Sequence, residues 1–155
     1  MVVIRGFDPV DSPALARIFY DAVQTGAAGE YTQAERDAWC NAPPPDDWAN
    51  ARFDRLATFV ALVDAPVGFM NVDKAGYVDM AFVAPTFKGQ GVGRLLYEKI
   101  EAHALQSGLT GLSTYASHTA RPFFEAMGWD VIRANIVEKD SVRLQNWFMI
   151  KSLTA

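Results

Sequence analysis

An α+β fold, with a mixed and mainly antiparallel sheet of about seven strands flanked by helices, is what three features of the sequence predict. Three β-forming runs, Thr58 to Val63, Val67 to Val72 and Tyr77 to Val83, follow one another across short turns with no helix between them, as antiparallel strands do. A glycine-rich turn then opens a helix from Val92 to Gln106, where Val92, Leu95, Leu96 and Ile100 recur at helical spacing opposite Arg94, Glu98, Lys99 and Glu101. A last strand pair, Trp129 to Val137 and Val142 to Ile150, turns at Glu138-Lys139-Asp140-Ser141.

The remaining elements follow from local chemistry. Val2 to Arg5 reads as the first strand. Asp11-Ser12-Pro13 supplies an N-cap and an early proline for a helix carrying Ala14, Leu15, Ile18, Phe19 and Val23. Thr32-Gln33-Ala34-Glu35 is a capping box, in which each polar side chain satisfies a backbone N–H of the other residue, and it opens a short helix bearing Trp39. Pro43-Pro44-Pro45 ends that helix in a rigid loop, and Asp46 to Leu56 adds a helical turn or two. Asp64-Ala65-Pro66 and Lys74-Ala75-Gly76 are the turns of the three-strand run, which Pro85 stops because it lacks the N–H for a further ladder bond. Ser107-Gly108 ends the long helix, and Leu112 to Tyr115 is a short strand. Thr119 then caps a helix with Pro122 in its first turn, which Gly128 terminates.

Composition narrows the function. The 155 residues, half of them hydrophobic, suffice for one domain, 1-155, with a substantial core. A formal charge of −4 and a pI near 5.1, without a Lys/Arg cluster, argue against nucleic acid and against an anionic membrane as partners. Cys40 stands alone and the two histidines are far apart, so neither a disulfide framework nor a metal site is expected. The start, Met-Val-Val-Ile-Arg-Gly, lacks a basic region followed by an apolar core, and a cytoplasmic protein is expected.

The chemistry concentrates at Phe82-Val83-Ala84-Pro85-Thr86-Phe87-Lys88-Gly89-Gln90-Gly91-Val92-Gly93-Arg94. Its glycines sit at a helix N-terminus, where the first-turn N–H groups have no internal partner and the helix dipole favours an anion. Glycines admit positive φ and close approach, so such amides can cradle a diphosphate; a strand-to-helix turn without a ligand is the plainer alternative. Two known phosphate loops are excluded by spacing. A P-loop needs its lysine after the glycines, whereas Lys88 precedes them, and a dinucleotide fingerprint needs a third glycine where Arg94 or Leu96 stands.

Lys88-Gly89-Gln90-Gly91-Val92-Gly93 after Phe82-Val83-Ala84-Pro85 resembles the acetyl-CoA loop of the GNAT-type N-acetyltransferases. Ala116 to Trp129, with Ala120-Arg121-Pro122-Phe123-Phe124-Glu125-Ala126-Met127-Gly128-Trp129, is similar to that family's later helix, and the resemblance runs from about Val60 to the C-terminus. It implies acetyl-CoA as co-substrate, without metal, held between two splayed strands. The strand ending at Phe82-Val83 would offer main-chain groups to the pantetheine arm, the amides of Lys88, Gly89, Gln90, Gly91, Val92, Gly93 and Arg94 would take the diphosphate, and Ser117, Phe123 and Phe124 would lie along the thioester.

The implied reaction is acetyl transfer to a primary amine of a small molecule or peptide by direct attack in a ternary complex. An alkylamine of pKa about 10 must lose a proton first, and Asp79, a carboxylate in an apolar strand, is the candidate base, with a salt-bridged or capping aspartate as the alternative. Phe124 stands where many family members have the tyrosine that protonates the leaving thiolate, so Tyr115 and His118 are the candidate substitutes. Tyr31 and Trp39 (with Trp48) are candidate acceptor-pocket residues, core packing and homodimer contact being the other uses of such aromatics. Two further readings remain open: a noncatalytic acyl-CoA-binding module, supported by Phe124, and an acetyltransferase acting on a macromolecule.

Overall fold

Seven strands form two antiparallel sheets that come together where Tyr77 and Val78 meet Ser113 and Thr114. The computed structural model describes residues 1–154. One sheet has the order β1-β2-β3-β4, from β1 (Val3–Gly6), β2 (Ala57–Val63), β3 (Ala65–Val72) and β4 (Val78–Val83); the other has the order β5-β7-β6, from β5 (Gly111–Ala116), β6 (Asp130–Lys139) and β7 (Val142–Ser152). The helices are α1 (Ser12–Asp21), α2 (Gln33–Cys40), α3 (Trp48–Arg52), α4 (Val92–Gln106) and α5 (Arg121–Ala126).

The core lies on both faces of β3, whose residues Val67 to Val72 are all buried. Phe69 packs with Leu15 and Ile18 of α1 and with Ala49 and Phe53, while Met70 and Val72 pack in a second cluster with Leu96 and Ile100 of α4. Truncating a fully buried aromatic such as Phe69 to alanine costs about 3–5 kcal/mol.

Where the sequence reading and the structure part, a side chain has found a better partner. Asp11 precedes α1 but makes no cap bond there. Its carboxylate instead takes Arg5 through two bonds of 2.8 and 2.9 Å and closes a capping box with Asp8, whose side chain accepts from Val10 N–H. Thr119 does not cap α5 either, since Ser117 Oγ accepts the Ala120 N–H at 3.0 Å and Thr119 Oγ1 donates to Glu30. The β2–β3 turn pivots on Asp64 alone, at φ 65°, with Ala65 and Pro66 already in β3. After Asp21 the first helix widens into a π-turn, Ala22–Gly26, which no sequence signal announced.

Among the described residues the two sheets pair backbone to backbone only at a parallel bridge, Tyr77 to Ser113, with Ser113 N–H donating to Gly76 O at 3.0 Å. A Cβ on Gly76 would lie 2.6 Å from Gly111 O, so this approach admits only glycine. Beyond Val78, β4 and β5 share no ladder and the gap between them opens. A β-bulge drives the parting. From Val72 to Met70 β3 advances two residues while its partner β4 advances three, Val78 to Ala81, leaving Asp79 and Met80 as the bulge. Asn71 fills the broken ladder by accepting the Met80 N–H on Oδ1 at 2.9 Å.

Candidate active site between the splayed strands

Strand parity decides which main-chain groups face the gap. Val83 lies opposite Gly68 and Ala84 N–H donates to Val67 O, so Val83 and Gly68 are a non-hydrogen-bonded pair and Phe82 exchanges bonds with Phe69. The N–H and C=O of Ala81 and Val83 therefore point away from β3 into the gap. This corrects the expectation for Phe82, which lines the site but whose main chain is committed to β3. Ala81 was missed, although counting residues in twos from Val83 reaches it.

One cavity of about 430 Å³ runs from this edge to the glycine loop. Lys88, Gly89, Gly91, Val92, Gly93 and Arg94 form one end of it, Val83 and the π-turn at Ala22 and Gly26 one side, and Phe123, Phe124 and Met127 of the α5 region the other. Gly91 is the N-cap of α4 at φ 83°, a left-handed conformation natural to glycine, and brings no side chain to the cap. Leu95 N–H is bonded to Gly91 O, so the amides of Val92, Gly93 and Arg94 ahead of it are free for an anion. Gly93 serves differently: its φ is helical, and a Cβ there would come 3.1 Å from Phe123 Cε1. Gln90, expected in this set, is outside the lining and donates its side-chain amide to Thr86 O.

A second cavity of about 260 Å³ opens on the other side of the gap, lined by Phe19, Tyr31, Asp79, Tyr115, Lys139 and Asn146 among others. The two cavities share Trp39, Ala81, Phe82, Ser117, Ala120 and Phe124, so they are two arms of one channel through the parted strands. Tyr31 ties this arm together. Its hydroxyl donates to Gln145 O at 2.7 Å and accepts the His118 N–H at 2.9 Å, and its ring stacks on His118 at 4.9 Å. Burial pushes the Tyr31 phenol up, the His118 N–H opposes that, and Glu35 and Glu30 add to the rise. Lys139 Nζ reaches Trp39 O at 3.3 Å.

Asp79 sits on the bulge, mostly buried, with Oδ2 2.7 Å from Arg52 Nη1. The contact is an ion pair whose N–H is off line, and Oδ2 accepts no hydrogen bond. Arg52 was not anticipated, because no sequence signal links α3 to the bulge. Tyr77 is also raised, by burial first and then by the Asp79 charge.

The other expected acids separate by placement. Tyr115 lines only the second cavity, packs on Phe148 at 5.1 Å and makes no hydrogen bond among the described residues. His118 lines neither cavity, and its Nδ1 accepts the indole N–H of Trp147 at 2.9 Å. Phe124 is buried against Trp129 at 4.8 Å, and Trp48 stacks on Phe19 at 5.3 Å outside both linings. Among the described residues no cluster of His, Cys, Asp and Glu could hold a metal, and no helix is long and apolar enough to cross a membrane.

The geometry has counterparts. The sequence profile of an acetyltransferase (GNAT) domain matches residues 27–151. An uncharacterized N-acetyltransferase of Escherichia coli K12, YafP, is 30% identical over 96% of this chain and 94% of its own length. A GCN5-related N-acetyltransferase structure from Rhodopseudomonas palustris superposes with a TM-score of 0.90 at 30% identity, over 97% of this chain and 94% of that one. The PaiA N-acetyltransferase of Thermoplasma acidophilum, solved with coenzyme A, shares the fold at 16% identity with a TM-score of 0.78, over 98% and 99% of the two chains.

Proposed function

Because the chain belongs to the acetyltransferase (GNAT) domain family, we propose that it transfers an acetyl group from acetyl-CoA to a primary amine of a small molecule or peptide in the cytoplasm. The observation that carries the reading is the shared wall of the two cavities, which lets two substrates meet in a gap that neither fills alone. The residues present fit the co-substrate. Free first-turn amides with Lys88 and Arg94 suit a diphosphate, and the open edge of Ala81 and Val83 suits the amides of an extended arm. Phe123, Phe124 and Val92 give that arm an apolar wall.

Acetyl-CoA supplies the activated acyl thioester. The chain supplies position and a base. Asp79, held beside Arg52, has Oδ1 left to take the proton of an amine entering through the second cavity, and Phe19, Tyr31, Trp39 and Tyr115 give that amine an aromatic surround. Acetyl-CoA should raise the melting temperature equally with and without chelator, as a ligand of the folded state does. A screen of polyamines, amino acids, aminoglycosides and peptide N-termini, read by free thiol, tests the transfer. Acceptor-dependent thiol release supports the reading; cofactor binding without it makes the chain an acyl-CoA-binding module.

A further inference from the structure

The acid role that Phe124 leaves vacant leads to one hydroxyl. Five hydroxyl-bearing residues line the channel: Tyr31, Thr114, Tyr115, Ser117 and Thr119. Three have committed their proton, since Tyr31 donates to Gln145 O, Thr114 to Val78 O at 2.8 Å and Thr119 to Glu30. Of the remaining two, Tyr115 lines the second cavity alone, and Ser117 lines both, in the wall they share with Phe124.

Ser117 Oγ accepts the Ala120 N–H at 3.0 Å and donates to nothing among the described residues. A hydroxyl carries one donor and two acceptor sites, so the bond from Ala120 fixes the oxygen and leaves its proton to turn into the channel. An oxygen that accepts a bond is also polarised into a better donor. The alternative is a residue that closes the turn ahead of α5 and does nothing else.

We infer that Ser117 donates a hydrogen bond to the departing sulfur of the thioester, at the junction of the two cavities and in place of the phenol that Phe124 lacks. This rests on the acetyl-transfer reading above. Ser117 keeps its proton throughout: the amine nitrogen bonds to the acyl carbon, the C–S bond breaks with its electron pair passing to sulfur, Asp79 takes the amine proton, and the serine O–H stabilises the new thiolate.

The test needs no acceptor. Coenzyme A and desulfo-coenzyme A, which lacks the sulfur, are titrated calorimetrically into wild type, Ser117→Ala and Ser117→Thr from about pH 7 to about pH 9.5, spanning a thiol of pKa about 8.5. In wild type the affinity ratio of coenzyme A to desulfo-coenzyme A should climb with pH as the thiolate forms. In Ser117→Ala the ratio at high pH should fall roughly ten-fold, as for loss of a hydrogen bond to a charged group, and Ser117→Thr should restore it. Desulfo-coenzyme A should bind all three alike. With an acceptor in hand, Ser117→Ala should lower kcat at unchanged KM for acetyl-CoA, and adding Phe124→Tyr should recover part of the loss. A ratio that climbs identically in wild type and Ser117→Ala overturns the inference. So does an equal loss for both ligands, which would make Ser117 a turn-forming residue alone. Failure of either ligand to bind wild type would remove the acetyl-transfer reading and this inference with it.

Discussion

The two arms of the channel are built by opposite means. The first arm turns on one stretch of chain, Val83 to Arg94, whose free main-chain groups border it. The second gathers side chains from α1, α2, β4, β5, β6 and β7, with Tyr31 between helices, and it holds them by single contacts such as Tyr31 to Gln145 and Lys139 to Trp39. A site made of backbone tolerates changes of side chain but not of φ. A site made of side chains should respond in the reverse way.

Asp79 is the sharpest test of that contrast, since its carboxylate belongs to the second arm only. Asp79→Asn keeps the shape and removes the proposed base, and should slow acetyl transfer ten-fold or more with acetyl-CoA affinity unchanged. A variant of full activity would mean that the amine loses its proton to solvent. An equal loss of acetyl-CoA affinity would mean that the two arms are not separable.

The glycines of the first arm should behave the other way, with affinity falling and the later chemistry intact. Gly91→Val forces a β-branched residue to φ 83°, and Gly93→Ala drives a Cβ against Phe123; each should weaken acetyl-CoA about ten-fold. The causes differ, so the rescues differ. Adding Phe123→Leu should recover affinity in Gly93→Ala and leave Gly91→Val unrescued, as a double-mutant cycle would record. Rescue of both, or of neither, would remove the distinction drawn between these glycines.

The same contrast explains what the sequence disclosed. The glycine loop, the helix at Val92–Gln106 and the capping box at Thr32 and Glu35 were legible because their signals are local. Two long terminal strands were legible from their period and their turn. The ion pair of Asp79 with Arg52 was not, because the residues come from different elements and meet only through the fold. Asp11 and Thr119 misled for a related reason: each is a good cap by type, but Arg5, Asp8, Glu30 and Ser117 compete for the same bonds. The bulge at Asp79 and Met80 leaves no mark of its own, since Asn71, the residue that repairs it, lies on the neighbouring strand.

Tyr31→Phe removes two hydrogen bonds at once, leaving Gln145 O and His118 N–H without their partner. It should cost about 2 kcal/mol of stability, read from the denaturant midpoint. The loss should fall on the second arm, raising KM for the acceptor more than for acetyl-CoA. A larger effect on acetyl-CoA would show that the Ser117-His118 turn, and not the acceptor wall, depends on this hydroxyl.

The smallest effect is expected farthest from the channel, at the Arg5–Asp11 pair that anchors the start of α1. Burial alone would raise the Asp11 carboxyl, but the Arg5 hydrogen bonds, the Asp8 N–H and the Arg5 charge outweigh it and hold the group below the ordinary carboxylate range. A carboxyl with a lowered native pKa contributes stability that is present above the unfolded value of about 3.9 and is lost as pH falls through the native one. Asp11→Asn should therefore cost about 1 kcal/mol near neutral pH, and that difference from wild type should shrink toward zero only below about pH 4. Denaturant midpoints of the two proteins at several pH values give the curve directly. A difference that instead closes as pH rises between about 5 and 7 would carry the sign of a raised carboxyl, and would mean that burial wins over Arg5 at this site.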